Sequence, residues 1–444
     1  MNRSTPLPGT LADLAIIIPA WNERDNLELL LPAVKEMITG LNLAAEIVVA
    51  DGGSRDGTRE AAERRGACVV LQQERGYGGA LLAGFAATTA PYVVTMDADL
   101  SHRPVFLEEF WRRRDEAEVL IASRYVAGGR AEMSGLRLLL STLLNRTFRR
   151  ILSLPLRDLS SGFRMYRRAA LAKLTLTARD FDVLEEILVR VHAEGWRIQE
   201  IPFTYMARGS GRSHVRFFRF GWAFLKTLGR MWRLRNSVAS ADYDYRAFDS
   251  PVWLQRYWQR ARHRIVLGFL EGHGQILDIG CGSSRIILDL PTAIGMDILQ
   301  NKLRWLRSRH HRLVRGSCDR LPFRDGSFAA VINSEVIEHV PDSPAILKEM
   351  WRVLRPGGVL VLGTPDYGRW LWLILEWIYG KVHPGGYADE HITNFTRRQL
   401  AARLLAAGYE ILDCRYVGFC EMIFKARKDS GANQTGVHDH ASSI

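Results

Sequence analysis

Cysteine is scarce and unpatterned: five residues in 444, at positions 68, 281, 318, 414 and 420, with no Cys-x-x-Cys pair. That excludes a disulfide framework or a cysteine zinc site as the organising device, and it suits a reducing compartment. Long apolar runs are missing too. No stretch of about 18 uninterrupted apolar residues occurs, so no spanning helix is expected. No basic-then-apolar signal pattern opens the chain, so secretion is not expected. Internal repeats are absent. Hydrophobic residues make up 47% and charged residues 24% of the chain, a globular balance that excludes a disordered or collagenous protein. A length of 444 residues is roughly three times a typical domain of ~100–150, so two or three domains are expected.

Acid is missing from one place in particular. The formal net charge is +12, yet between Glu200 and Asp242 there is no acidic residue, while Arg208, Arg212, Arg216, Arg219, Lys226, Arg230, Arg233 and Arg235 all fall there. A basic excess points to anionic partners. Outside this stretch the charge is nearly balanced, so nucleic acid is not expected among them. A nonenzymatic nucleic-acid-binding protein would account for the basic excess and for nothing else in the chain.

Leu14–Pro19, Glu46–Ala50 and Tyr92–Met96 are short, buried-strand patterns, and helical periodicity occupies Asn26–Thr39 and Thr58–Arg65. A second alternation begins at Gln275–Ile279 and recurs at Ala293–Met296, Ala329–Ile332 and Gly358–Gly363. Strands alternating with helices predict two Rossmann-like α/β domains with largely parallel sheets. The expected organisation is a first domain over 1–240, a linker over 241–254, a second domain over 255–427 and a disordered tail over 428–444.

In the first half, Met96-Asp97-Ala98-Asp99 ends a strand. Two carboxylates one residue apart at a strand end can address one Mg²⁺ or Mn²⁺, leaving its other positions to diphosphate oxygens and water. Polar loops also follow the first two strands, at Trp21-Asn22-Glu23 and at Asp51–Thr58, and strand carboxyl ends are where α/β sheets bind ligands. Arg137, Ser141 and Asn145 recur every four residues, one polar stripe on a leucine-rich helix. It faces either solvent or an anionic acceptor, which arginine's planar fork would suit.

The segments PAWNERDNL, DGGSRDGT, RGYGGAL, MDADLSHRP, ASRYVAGG, RLLLSTLLN, RDLSSGFRMYRR and IPFTYMARGSGRSH follow in order over about residues 14–214. This half resembles a family 2 glycosyltransferase of the GT-A fold, of the dolichol/polyprenyl-phosphate mannosyltransferase type. The resemblance implies that Pro19, Trp21, Glu23 and Asp51 hold the nucleotide of a GDP- or UDP-sugar. It implies that Asp97 and Asp99 hold the metal and diphosphate, and that Arg124 and Arg137 grip the phosphate of a polyprenyl or dolichyl phosphate lipid. An ionised phosphate attacks the anomeric carbon in line, with inversion, and needs no base; a sugar hydroxyl would need one, with Asp158 or Glu186 as candidates. The chain departs from the family at Asp51-Gly52, where two aspartates are usual, at Trp21 for tyrosine and at His214 for lysine. Base and sugar are therefore left open.

Val215–Leu234 reads as an amphipathic helix, with Arg216, Arg219, Lys226, Arg230 and Arg233 on one side and aromatic and aliphatic residues on the other. Such a helix either lies on an anionic membrane surface or packs its apolar face on the sheet.

In the second half, Ile276-Leu277-Asp278-Ile279-Gly280-Cys281-Gly282 runs a strand into a glycine turn, and Arg285 stands where a dinucleotide fingerprint wants its third glycine. A carboxylate beside the turn would repel a pyrophosphate and suits a cationic ligand such as S-adenosyl-L-methionine (SAM). Asp297, 19 residues on, either meets ribose hydroxyls or caps a helix. The runs ILDIGCGSS, AIGMDIL, RLPFRDGSFAAVINSEVIEHVPD, EMWRVLRPGGVLVLGTP and HITNFTRRQLAARLLAAGY resemble class I SAM-dependent methyltransferases over about residues 255–425. That resemblance implies that Asp278, Gly280, Gly282 and Asp297 bind SAM, with Ser317 and Asp319 near the adenine where the family usually places an aspartate. Ala329 also replaces a common aspartate. His339 and His391 are the titratable candidates on the methyl-acceptor side, or structural histidines. Trp370–Tyr379 is either a lid that can dip into a membrane or a buried core helix.

The expectation is a bifunctional transferase, peripheral on the cytoplasmic face of a membrane. The alternative keeps the glycosyltransferase and makes the second domain a degenerate SAM-binding module.

Overall fold

The computed structural model describes residues 12–132, 135–172, 174–206, 217–342, 344–382 and 391–429. The chain divides into two compact units at Arg235/Asn236, each built on its own seven-stranded sheet.

Unit one contains β1 (Leu14–Ala20), β2 (Ala45–Asp51), β3 (Cys68–Leu71), β4 (Tyr92–Thr95), β5 (Val119–Ser123), β6 (Arg130–Ala131), β7 (Arg164–Arg167), β8 (Ile198–Pro202) and β9 (Thr204–Tyr205). Its large sheet runs β3-β2-β1-β4-β7-β5-β8, and β6 pairs with β9 separately. The β1, β2 and β4 segments are mostly apolar and mostly buried, as strands covered on both faces require. The sheet is mixed: β7 runs antiparallel to both β4 and β5. One core lies on each face, around Ile16, Ile18 and Val94 on one side and Ile17, Val93 and Tyr166 on the other.

Unit two contains β10 (Ile276–Ile279), β11 (Ile294–Asp297), β12 (Leu313–Arg315), β13 (Phe328–Ser334), β14 (Leu354–Pro365), β15 (Tyr409–Val417) and β16 (Glu421–Lys428). Its sheet runs β12-β11-β10-β13-β14-β16-β15, parallel except for the final β15–β16 hairpin and the β16–β14 pairing. Residues 241–254 hold the helix Tyr243–Phe248 and the start of the helix Trp253–Leu270. Ala241 is buried in the second unit's core, so this stretch is part of that unit rather than a spacer. Lys428 ends β16 with its ammonium on the Trp351 and Leu354 carbonyls; the tail expected from 428 otherwise lies beyond Asp429, outside the described residues.

The basic helix spans Phe217–Arg235, and Arg208, Arg212, His214 and Arg216 lie outside the described residues. In its described part, Phe224, Leu228, Met231 and Trp232 pack into the first unit's core. Arg235 is buried on the Leu152 and Ser153 carbonyls, and Arg230 is tied to the Thr177 and Thr227 hydroxyls. Packing wins at this end of the helix. The tryptophan-rich segment does the opposite: the helix Trp370–Val382 exposes Trp370 at 71% and Trp377 at 66%, with Leu373, Ile374 and Ile378 also exposed. It is not a buried core helix.

Candidate active sites

In unit one, parallel pairing sets Ala20 beside Asp51 and places the end of β4 beside β1. The carboxyl ends of β1, β2 and β4 therefore share one edge, with the strand order reversing between β1 and β4. The first two loops are sewn together: Asn22 N donates to Ser54 Oγ (2.8 Å), Glu23 N to Thr58 Oγ1 (2.9 Å) and Arg55 N to Asn22 Oδ1 (3.0 Å). Asp51 is fully buried and accepts from Ser54 N at 3.1 Å and Gly53 N at 3.3 Å. Its carboxylate holds the loop's shape at the strand edge. Pro19 sits in β1, half-buried, and the Glu23 carboxylate accepts from Asn26 Nδ2 at 2.6 Å.

Two family departures meet in space. A Cβ on Gly52 would lie 3.3 Å from both Cβ and Cδ1 of Trp21, so the indole occupies the room a side chain at 52 would take. Trp21 is 49% exposed, a flat apolar surface at this strand edge.

The Asp97–Asp99 turn is held from several sides. Tyr77 Oη donates to Asp97 Oδ1 at 2.9 Å. His102 Nδ1 accepts from Asp97 N at 2.9 Å, which leaves the His102 proton on Nε2. A Cβ on Gly162 would lie 2.7 Å from the Tyr77 hydroxyl and 3.2 Å from Asp97 Oδ1, so glycine keeps the carboxylate's place open. Leu100 adopts φ 63°, left-handed and unfavourable for leucine, and the bend brings Ser101 N (3.1 Å) and Oγ (2.5 Å) onto Asp99 Oδ1. Two carboxylates on a strand end, one partly exposed and one buried, fit a hard divalent cation completed by diphosphate oxygens and water.

Arg124 and Asp158 are a closed pair. The guanidinium donates from Nε to Oδ2 (2.8 Å) and from Nη2 to Oδ1 (2.7 Å), and Nη2 also reaches Ser160 Oγ (2.8 Å). Burial works against the guanidinium's charge, but Asp158 more than offsets it and the Arg124 pKa rises. Asp158 also accepts from Arg124 N and Ser161 N at 3.0 Å each, so it shapes the loop and is not poised as a base. Glu186 is likewise committed: despite burial, hydrogen bonds from Ala178 N and Thr177 N and the Arg190 charge lower its pKa.

The stripe on the helix Gly135–Leu152 faces inward at its described members. Ser141 Oγ accepts from Tyr125 Oη (2.8 Å), and Asn145 is buried, donating to Ser160 Oγ (3.0 Å) and accepting from Leu159 N (2.7 Å). Arg137 is one turn earlier on the same face; its side chain lies outside the described residues. Sequence reasoning missed Glu185, which is buried near Arg164 and Asp182 and which burial pushes up to about 8. Its only signal was an acid doublet, Glu185-Glu186, inside an apolar helix.

In unit two the strand order reverses between β10 and β13. Gly280 follows β10 with φ 70°, and a Cβ there would lie 2.2 Å from Val336 Cγ2 on the segment after β13. Only glycine allows this close approach. Asp278 is buried, and its Oδ2 has no hydrogen-bond partner. Burial, then the Asp297 charge, pushes it up to about 7. An orphaned acid at this turn fits the cationic groups of SAM. Asp297 accepts from Gly282 N and Leu299 N at 2.8 Å each. It ties the glycine turn to β11, and the following helix has Leu299, not Asp297, as its N-cap. Ser317 and Asp319 are exposed on the turn after β12, flanking buried Cys318.

Asp244, in the stretch expected to be linker, accepts from Ser283 N and Oγ (3.1 Å each) and Lys302 Nζ (2.9 Å). It braces the glycine turn from outside the sheet, and its aperiodic polar–aromatic surroundings gave no signal of that. His339 and His391 do come together, ring centroids 5.0 Å apart. His391 Nδ1 lies 2.6 Å from Tyr367 Oη and 3.0 Å from Glu376 Oε1; burial lowers the His391 pKa against the pull of Glu376. Glu338 is wholly buried, accepts from Thr364 Oγ1 at 3.0 Å, and is pushed by burial up to about 8.

Residues 15–175 match the family Glycosyl transferase family 2, and residues 277–362 match the family Methyltransferase domain. A polyprenol monophosphomannose synthase of Mycolicibacterium smegmatis is 33% identical over 245 residues, covering 50% of this chain and 90% of that protein. A dolichol-phosphate mannosyltransferase of Pyrococcus furiosus is 31% identical over 232 residues, covering 50% of this chain; the chain spans 63% of the length of this archaeal relative. A SAM-dependent methyltransferase of Thermotoga maritima, a possible histamine N-methyltransferase, is 22% identical with a TM-score of 0.36, over 42% of this chain and 94% of that one.

Proposed function

The chain belongs to glycosyl transferase family 2 through its first unit and carries a methyltransferase domain in its second, and on that premise we propose that it is bifunctional. The first unit moves a sugar from a GDP- or UDP-sugar to a polyprenyl-phosphate-type acceptor with inversion. The second transfers a methyl group from SAM. The observation that carries the first assignment is the buried Arg124–Asp158–Ser160–Asn145 network beside the Asp97–Asp99 turn. It holds the Arg124 guanidinium in one orientation toward an anionic acceptor, and Asp158 is spent within it as Glu186 is spent on Thr177, Ala178 and Arg190. An acceptor phosphate already ionised at pH 7 needs no base.

Trp21 offers its indole face to the donor base, and Asp51 keeps the loop beneath it closed. Asp97 and Asp99 would hold Mg²⁺ or Mn²⁺, which supplies charge stabilisation to the departing nucleoside diphosphate. Arg137 and Arg124 orient the acceptor phosphate, the latter only through the edge of its guanidinium not spent on Asp158. In the second unit, Asp278 takes the cationic end of SAM and Asp297 the ribose hydroxyls, with Gly280 and Gly282 giving the backbone its close approach. Ser317 and Asp319 flank the adenine.

We place the enzyme on an anionic membrane surface, where its lipid acceptor resides. Exposed Leu139 and Leu143 on the helix Gly135–Leu152, and exposed Trp370 and Trp377 in the second unit, support this. The assignment is tested by offering purified chain a panel of nucleotide sugars with radiolabelled polyprenyl phosphate. Labelled lipid-linked sugar from one donor is expected; transfer to no donor with divalent metal present overturns it. A second reading, a SAM-binding module without turnover, is favoured by Ser317 and Ala329 at positions where aspartate is common. SAM binding without methyl transfer to any lipid-glycan fraction would select it.

A further inference from the structure

We propose that Glu338, His339 and His391 form a binding site for a divalent transition-metal ion in the second unit, apart from the Asp97–Asp99 pair. One ligand atom from each lies within 4.8 Å of the other two. A triangle of that size closes on an ion at about 2.1 Å with side-chain shifts under about 1 Å. Their convergence is built into the backbone. Glu338 and His339 lie on the short 3₁₀ turn Ile337–His339, and the carbonyl of Glu338 accepts from Ile392 N (2.8 Å) and Thr393 N (3.0 Å). Those bonds clamp the His391 segment against the turn.

A second observation points to a ligand. Glu338 is wholly buried, and while Oε2 is taken by Thr364, Oε1 has no hydrogen-bond partner. A buried carboxylate oxygen without a donor is costly and is satisfied by a cation. The supporting shell is the kind a metal site uses. The Glu376 carboxylate and Tyr367 hydroxyl engage His391 Nδ1, which fixes the tautomer and leaves Nε2 as the ligand nitrogen.

Two imidazoles and a carboxylate select Zn²⁺, Co²⁺, Fe²⁺ or Mn²⁺ over Mg²⁺. The site lies on the segment that packs against Gly280, at the strand edge assigned to SAM. Its use in methyl transfer, where a bound ion would hold an acceptor oxygen and ease loss of its proton, rests on the methyltransferase reading above. The ion site itself does not.

The test uses the full chain in an Asp97→Asn/Asp99→Asn background, which removes the first unit's metal pair. Titration with Co²⁺, followed by calorimetry and visible absorption, is expected to give one site per chain with an imidazole-type spectrum. Adding Glu338→Gln or His391→Asn should weaken Co²⁺ at least about 100-fold, beyond the 10–100-fold of an outer-shell loss. SAM affinity within about threefold of the background would show that these variants fold. Glu376→Gln, which touches only the supporting shell, should weaken Co²⁺ about 10–100-fold. If the background chain binds no Co²⁺ or Zn²⁺, or if both ligand variants fold and bind as before, the metal site is overturned and the cluster is a hydrogen-bonded relay. Failure to bind SAM with Co²⁺ binding intact would overturn the methyltransferase reading instead.

Discussion

Asp278→Asn should make the second unit more stable while disabling it. Burial and Asp297 hold the Asp278 carboxyl at about 7, against 3.8 for the free group. Between those values the folded unit keeps a proton that the unfolded chain has released. This group's contribution to stability therefore falls as pH rises from about 4 to about 7, and stays level above. A difference of about three pH units corresponds to about 4 kcal/mol, and relaxation around the buried charge brings the expectation to about 2–4 kcal/mol. An amide cannot ionise, so D278N should match wild type near pH 4 and exceed it at pH 8 by that amount, about 5–15 °C in the unit's midpoint. The same change removes the carboxylate that meets SAM's positive charge, and binding should fall by about 100-fold or more, the scale of a buried charge left without its partner. Wild-type affinity should itself rise about tenfold per pH unit up to about 7, then flatten. Scanning calorimetry of the intact chain at pH 4, 6 and 8, with SAM titrations at each pH where it stays folded, measures both halves. A D278N chain that binds SAM within threefold of wild type, or gains nothing at pH 8, would refute the assignment of Asp278 as the cation's partner.

Four further outcomes are expected. Asp99→Ala should abolish glycosyl transfer and leave SAM affinity unchanged; full transfer in the mutant, or by wild type in excess EDTA, would remove the metal assignment. Asp297→Ala deletes the acceptor for Gly282 N and Leu299 N along with the proposed ribose contacts, and SAM should bind about 5–150-fold more weakly, at about 1–3 kcal/mol. Transferase turnover should hold within about twofold. Asp158→Ala leaves Arg124 buried without its carboxylate and should cost the first unit about 3–5 kcal/mol, read as a lowered denaturant midpoint; an unchanged midpoint would mean that the pair is dispensable. Replacing Trp370 and Trp377 together with Ser should reduce sedimentation with anionic vesicles at high salt, where apolar contact rather than charge holds the protein; wild-type sedimentation would clear this helix of a membrane role.

The strands nearest the sites were legible because their information is local. β1, β2, β4, β10, β11 and β13 are largely apolar runs ended by glycine or polar turns, and both ends of each stand within two residues of the sequence-read position. The chemistry at their carboxyl ends was legible for the same reason: Asp97, Asp99, Asp278 and Asp297 each lie within four residues of a strand's last residue, and strand ends converge in any such sheet. What is not local was not legible. The inward face of Asn145 depends on where the loop at Ser160 lands, 15 residues away. Asp244 reaches the glycine turn from 39 residues upstream. Periodicity shows that the helix Phe217–Arg235 has an apolar side, but only its packing on the helices Gly135–Leu152 and Val183–Ala193 determines that Phe224 and Met231 are covered while Trp370 and Trp377 of another helix are not. The Glu338–His339–His391 cluster joins residues 52 positions apart through two backbone hydrogen bonds to one carbonyl. Sequence patterning determined which segments form strands and which residues stand at their ends. Tertiary structure decided which side chains are already spent on one another and which are left for a ligand, because hydrogen-bond satisfaction is a property of the packed neighbourhood and not of the segment.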